Sequence, residues 1–189
     1  MDTRDRRIAS QKARELVAAN PVYLDTETTG LGSYSEVIEI AVLDDQANTL
    51  FASLVKPRGQ IDPQAGSIHG ITLMMLVDAP GWIEVWPQAK AVLANRKIGV
   101  YNTEFDKRLI NQSCDRSGIP RTMPEGTFFD IMKIYAQFYG AKDPYRGTFR
   151  YQSLEIAGKQ CQITLPNAHR AIDDCKLARA LLHYMAENP

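Results

Sequence analysis

Apolar positions change period several times along the chain, and each change marks an element. Ile8, Leu16 and Val17 recur among charges over residues 4–18, the spacing of an amphipathic helix that Pro21 ends. Val22-Tyr23-Leu24 opens a strand that turns polar at Asp25 and reaches a turn at Gly30 and Gly32. Val37-Ile38-Glu39-Ile40-Ala41-Val42 is a second strand. Thr49 to Lys56 is a third, stopped by Pro57, with the turn residues Asp44 to Asn48 between them. Three consecutive strands on short connections predict an antiparallel meander.

Helical spacing takes over after Pro57. Thr72 is placed to cap a short helix over Leu73 to Val77, and Ile83 to Asn95 reads as another, with Pro87 expected near its first turn. Ile98 to Tyr101 is a short strand, followed by a helix from Glu104 to Ser117 that Gly118 closes. Thr127 to Phe129 feeds a helix over Ile131 to Phe138, and residues 139–152 read as a loop. Ser153 caps Leu154 to Gln160, and Ala171 to Ala186 forms the final helix. A meander followed by strand–helix units predicts an α/β fold: a mixed sheet with helices on both faces.

Composition narrows the function classes. The 189 residues carry 22 Lys and Arg against 22 Asp and Glu, which excludes a polycation wrapping duplex DNA but leaves room for a local basic groove. A hydrophobic share of 44% with 23% charged residues excludes a disordered or fibrous chain. The length predicts one domain over residues 21–189, with the helix of residues 1–20 packed on it. Cys114, Cys161 and Cys175 form no CxxC pair and read as reduced thiols. No apolar segment follows the charged Met1 to Arg7, and no run approaches the roughly 18 apolar residues of a membrane helix. A cytoplasmic protein outside the membrane is expected.

The chemistry starts at Asp25-Thr26-Glu27. Strand side chains alternate, so both carboxylates share a face, roughly 7 Å apart along the backbone. Two carboxylates so close repel unless a cation separates them, and hard oxygen ligands favour Mg²⁺ or Mn²⁺. A dinucleotide-binding loop at Gly30-Leu31-Gly32 is disfavoured, because position 35 is Ser and a strand follows instead of a helix.

Four ordered motifs then carry a family resemblance. Val22-Tyr23-Leu24-Asp25-Thr26-Glu27-Thr28-Thr29-Gly30-Leu31 resembles the first motif of the DEDDh (DnaQ-like) 3′–5′ exonucleases, the group that includes bacterial proofreading subunits. Ile68-His69-Gly70-Ile71-Thr72 resembles the short signature after its third strand, and Tyr101-Asn102-Thr103-Glu104-Phe105-Asp106 its second motif. His169-Arg170-Ala171-Ile172-Asp173-Asp174 resembles its third motif. The resemblance spans about residues 22–182 and implies a ribonuclease H-like fold.

It also implies a site. Asp25, Glu27, Asp106 and Asp174 would converge on two divalent ions, Mg²⁺ or Mn²⁺, which serve in-line phosphodiester hydrolysis about 4 Å apart. Asp25, Glu27 and Asp174 would hold the nucleophile-side ion, with Asp25 bridging to a second ion that Asp106 holds. His169 would be the general base. Thr28, Gly30 and Leu31 would contact the terminal nucleotide, and His69, Asn102 and Phe105 would serve as substrate-side residues. In the loop 139–152, Lys142, Arg146 and Arg150 interleave with Tyr139, Tyr145, Phe149 and Tyr151, cations for phosphates and rings for bases. The substrate implied is a single-stranded DNA 3′ end, shortened with release of nucleoside 5′-monophosphates. Its alternatives are RNA on the same site and a silent nucleic-acid-binding adaptor. The chain ends soon after Asp174, so no polymerase-binding tail is expected and a stand-alone trimming enzyme is favoured.

Finer expectations follow from helix phase. Asp174, Leu177, Ala178, Leu181, Leu182 and Met185 form one row, which puts Asp174 on the buried face and Asp173 beside Lys176 on the polar side. His183 is expected to face solvent, and Trp82 and Trp86 to pack.

Overall fold

In the computed structural model, which describes residues 3–145, 147–165 and 169–189, strand β1 (Val22–Thr28) lies at the centre of a five-stranded sheet. It pairs antiparallel with β2 (Val37–Leu43), which pairs antiparallel with β3 (Thr49–Leu54). On its other side β1 runs parallel to β4 (Arg96–Val100), and β4 runs parallel to β5 (Gly126–Asp130). The order is β3-β2-β1-β4-β5, a meander continued by strand–helix units in a mixed sheet.

All seven residues of β2 are buried, so its continuous apolar run reflects cover on both faces. Strand alternation divides that cover. Tyr23, Ala41 and Leu43 pack with α1 (Thr3–Ala18), α5 (Ile131–Tyr139), α6 (Leu154–Gln160) and α7 (Ala171–Glu187). Val22, Leu24, Ile40 and Val42 pack with α3 (Trp82–Leu93) and α4 (Thr103–Ser117). Trp82 and Trp86 stack with ring centroids 5.3 Å apart inside that second core, packing as expected. The helix α1 is held at the far end of α7, where Arg14 Nε donates to Ala186 O at 2.7 Å and Arg6 Nη2 to Asn188 O at 3.0 Å. Both are cations on helix C-terminal carbonyls. Cys114, Cys161 and Cys175 are buried free thiols.

Two local expectations are corrected. The third strand ends at Leu54, and Lys56 bridges instead to Gly81, its amide bonded to Pro80 O. Pro87 is the sixth residue of α3, past the first turn, because the helix begins at Trp82. The carbonyl it deprives of a donor belongs to Ile83, an exposed residue that water can reach. A further helix, α2 (Pro63–His69), lies in the segment left unassigned by periodicity. Its signals are local: Asp62 caps it by accepting from the Gln64 amide at 2.8 Å, Pro63 takes the first position, and Gly70 closes it at φ +69°.

Candidate active site

The chemistry gathers where β1 ends and α7 begins. Asp25 and Glu27 project from one face of β1, and Asp174 sits in the first turns of α7, buried as the row of apolar residues behind it requires. Carboxylate oxygens of Asp25, Glu27 and Asp174 all lie within 4.8 Å of one another. Asp173 is turned away and pairs with Lys176 at 3.0 Å. Asp106, 3% exposed on α4, stands beside this trio, and Thr26 Oγ1 donates to its Oδ1 at 2.7 Å.

Burial and mutual repulsion dominate the electrostatics. Desolvation, then the charges of Asp106, Asp174 and Glu27, holds Asp25 well above the usual carboxylate range. Burial followed by the Asp174 charge lifts Glu27 to about 8, and burial lifts Asp106 to about 7 against its Thr26 hydrogen bond. Asp174 rises to about 6 by burial, with the His169 ring pulling the other way. Asp174 Oδ1 is buried and has no hydrogen-bond partner among the described residues. An orphaned acceptor costs about 1–3 kcal/mol, and more when charged. Converging hard oxygens and one unpaired buried oxygen fit Mg²⁺ or Mn²⁺ as the missing counter-charge.

His169 lies just before α7 with its backbone in the left-handed region at φ +47°, uncommon outside glycine. Its Nδ1 is 4.0 Å from Asp174 Oδ2, and its side chain is 40% exposed. With Asp25, Tyr101, Ser153 and Asp174 it lines a recess of about 200 Å³.

On the other flank of Glu27 a cleft of about 330 Å³ is lined by Thr28, Gly30, Leu31, His69 and Phe105. Gly30 turns there at φ +158°, where a Cβ would come within 3.2 Å of Asp62 Cβ and 3.3 Å of Ser35 Oγ. The turn leaves Leu31 76% exposed, while Arg108 Nη1 holds its carbonyl at 3.3 Å. Thr28 Oγ1 donates to Gly30 O. His69 is buried, and both ring nitrogens serve the backbone. The Ile71 amide donates to Nδ1 at 3.0 Å, so Nε2 carries the proton and donates to Thr28 O at 3.2 Å. Burial pushes this imidazole below its ordinary value. The ring therefore braces the cleft wall instead of offering a free polar atom. Asn102, at φ +73°, forms the turn into α4 without a side-chain cap.

Of the segment 139–152, Tyr139 is the last residue of α5, and Arg146 lies outside the described residues. Arg150 and Tyr145 are exposed, while Lys142 sits over the Phe149 ring at 5.8 Å and Tyr139 stacks on Tyr135. His183 corrects another expectation. Its side chain is three-quarters buried, with Nε2 2.8 Å from Asp45 Oδ1, because the β2–β3 turn folds over that side of α7. Thr26 and Glu39 are site-side residues that sequence reading missed. Both sit in predicted strands, but their partners are 80 and 131 residues away, beyond any local signal.

A family model described as Exonuclease matches residues 22–182. The chain is 28% identical over 185 residues to the uncharacterized exonuclease CP81 of Escherichia phage 186, covering 94% of each. It is 31% identical over 164 residues to exodeoxyribonuclease 10 of Escherichia coli K12, covering 84% of this chain and 65% of that protein. Among solved structures it resembles exonuclease X in complex with 5′ overhanging duplex DNA. The TM-score is 0.65 at 26% identity, covering 88% of this chain and 92% of that one. The mixed sheet is thus the ribonuclease H-like fold of such exonucleases.

Proposed function

Because the chain belongs to the exonuclease family, with the DEDDh pattern in its own motifs, we propose that it removes nucleotides one by one from 3′ ends, acting on single-stranded DNA. The observation that carries this reading is the carboxylate trio within 4.8 Å, with a buried Asp174 oxygen that no group among the described residues satisfies. A DNA substrate is supported by similarity to a protein named exodeoxyribonuclease 10 and to an exonuclease solved with duplex DNA.

Asp25, Glu27 and Asp174 would hold one divalent ion, and Asp106 with Asp25 a second. Such ions, Mg²⁺ or Mn²⁺, supply Lewis-acid stabilisation of the attacking and leaving oxygens. The chain's own residues do the rest. His169 faces the recess beside Asp25 and Asp174 and takes the proton from the attacking water at its imidazole. Water oxygen bonds to phosphorus, the bond from phosphorus to the 3′ oxygen breaks, and that oxygen leaves as a hydroxyl after gaining a proton. The departing unit is a nucleoside 5′-monophosphate. The terminal base takes the cleft between Leu31 and Phe105, whose walls His69 and Thr28 brace. Arg150 and Tyr145 offer a cation and a ring to the strand behind it.

The test compares 3′- and 5′-labelled single-stranded DNA, duplex DNA and RNA with Mg²⁺, with Mn²⁺ and with chelator. Stepwise loss from 3′ ends, fastest on single-stranded DNA and abolished by chelator, is the expected result. Activity persisting in excess chelator overturns the two-ion site. Faster RNA loss moves the substrate, and nucleic acid bound but uncut establishes the adaptor.

A further inference from the structure

Glu39 is a fifth carboxylate at the edge of the cluster, and both of its oxygens are hydrogen-bonded. The β1–β2 register sets it directly opposite Glu27, and it is 7% exposed. Like charges so placed destabilise a strand pair. Glu39 instead bonds to the start of α7. Arg170 Nε donates to both its oxygens at 3.1 and 3.0 Å, and Arg170 Nη2 donates to Oε1 at 2.5 Å. The amide of Ala171, first residue of α7, donates to Oε2 at 2.9 Å. Residue 170 caps nothing with its own side chain, so Glu39 supplies the N-terminal cap from 132 residues away in sequence.

The pair grips the turn on which the site depends. His169 immediately precedes Arg170, and the Asp174 amide donates to Arg170 O at 3.0 Å. Asp25 and Glu27 lie on the strand paired with Glu39. A single buried carboxylate thus ties the two halves of the site together.

We propose that Glu39 and Arg170 are a positioning pair: they set the spacing between the β1 carboxylates and the His169–Asp174 turn, and they withhold Glu39 from the metal-ligand set. The catalytic half of this inference rests on the exonuclease reading, and the anchoring half stands without it. Arginine is required by geometry, because a lysine keeps the charge but loses the fork that spans both oxygens.

The experiment uses the full chain as Arg170→Lys, Arg170→Ala, Glu39→Gln and the Glu39→Gln/Arg170→Ala double variant. Amide hydrogen exchange over Ala171 to Asp174 is followed without metal or substrate, and kcat and KM are measured with Mg²⁺ on a 3′-labelled single-stranded oligonucleotide. Exchange there is expected to rise about tenfold in every variant, with kcat falling roughly 10–100-fold, the usual cost of removing a residue that orients ligands, and KM within about threefold. Arg170→Lys carries most of the loss, and the double variant is no worse than the poorer single one. Unchanged exchange, a loss carried by KM, or losses that multiply in the double variant overturn the pair. Should Glu39→Gln fail to fold, the Arg170 variants decide, since that side chain is 39% exposed. A wild-type protein inactive on every 3′ end overturns the exonuclease reading alone, and exchange still settles whether the pair anchors α7.

Discussion

Two neighbouring side chains on one face of β1, Tyr23 and Asp25, lead into opposite electrostatic worlds. Tyr23 donates to Asp45 Oδ1 at 2.7 Å, His183 Nε2 meets the same oxygen at 2.8 Å, and Arg179 Nε holds the Asp45 carbonyl at 2.6 Å. Burial and the Asp45 charge push the Tyr23 hydroxyl far above its ordinary value, so it stays a donor. Asp25, two residues on, meets mainly other carboxylates. Both regions bury charge between β1, β2 and α7. The Asp45 network supplies its own donors and serves structure, whereas the Asp25 cluster, among the described residues, leaves most of its charge unmatched and so has capacity for a ligand.

The contrast breaks most severely at the unmatched end. Asp174→Asn should cut turnover by about 10³-fold, the rate equivalent of several kcal/mol of lost charge stabilisation, and should abolish the thermal shift that Mg²⁺ or Mn²⁺ produces. His169→Ala should slow hydrolysis roughly 10²–10⁴-fold while leaving that thermal shift intact, as expected for a base that holds no ion. Near-normal turnover at neutral pH in this variant would remove His169 from the proton transfer.

Next in size is a pH effect on the metal-free protein. Asp174, Asp106 and Glu27 bind protons more tightly folded, at about 6, 7 and 8, than unfolded carboxylates do. Their contribution to stability is therefore complete below about pH 4 and is lost as pH rises through 6 to 8. Asp44, Glu104 and Glu155, held low by Asn48 and lysine partners, act in the opposite sense only at more acidic pH. Melting with chelator should fall between pH 5.5 and 8.5, and Mg²⁺ should flatten the slope. A metal-free curve that rises over this interval would refute the repulsion.

The matched end should respond in stability alone. Tyr23→Phe strips one donor from a buried carboxylate, at about 1–3 kcal/mol, with turnover unchanged. Calorimetry and the nuclease assay together check it. Smallest of all, Asp173→Asn loses only a half-exposed pair with Lys176, worth about 0–1 kcal/mol, and should leave both turnover and the metal shift near normal. Loss confined to Asp173→Asn would reverse the assignment of Asp174.

Much of this protein was legible in its local pattern. Alternation and caps marked the strands and most helices, and the apolar row from Leu177 to Met185 put Asp174 inside and Asp173 outside. These are local properties: a period or a cap depends on residues within a few positions. Long-range packing settled the rest: Thr26 holds Asp106, Glu39 caps α7 at the Ala171 amide, both ring nitrogens of His69 are engaged and His183 is covered by Asp45. Each depends on which polar atom finds which partner once distant segments are buried together. A side chain's residue type fixes what it can donate or accept, but packing alone decides whether that capacity is spent on the fold or left for a ligand.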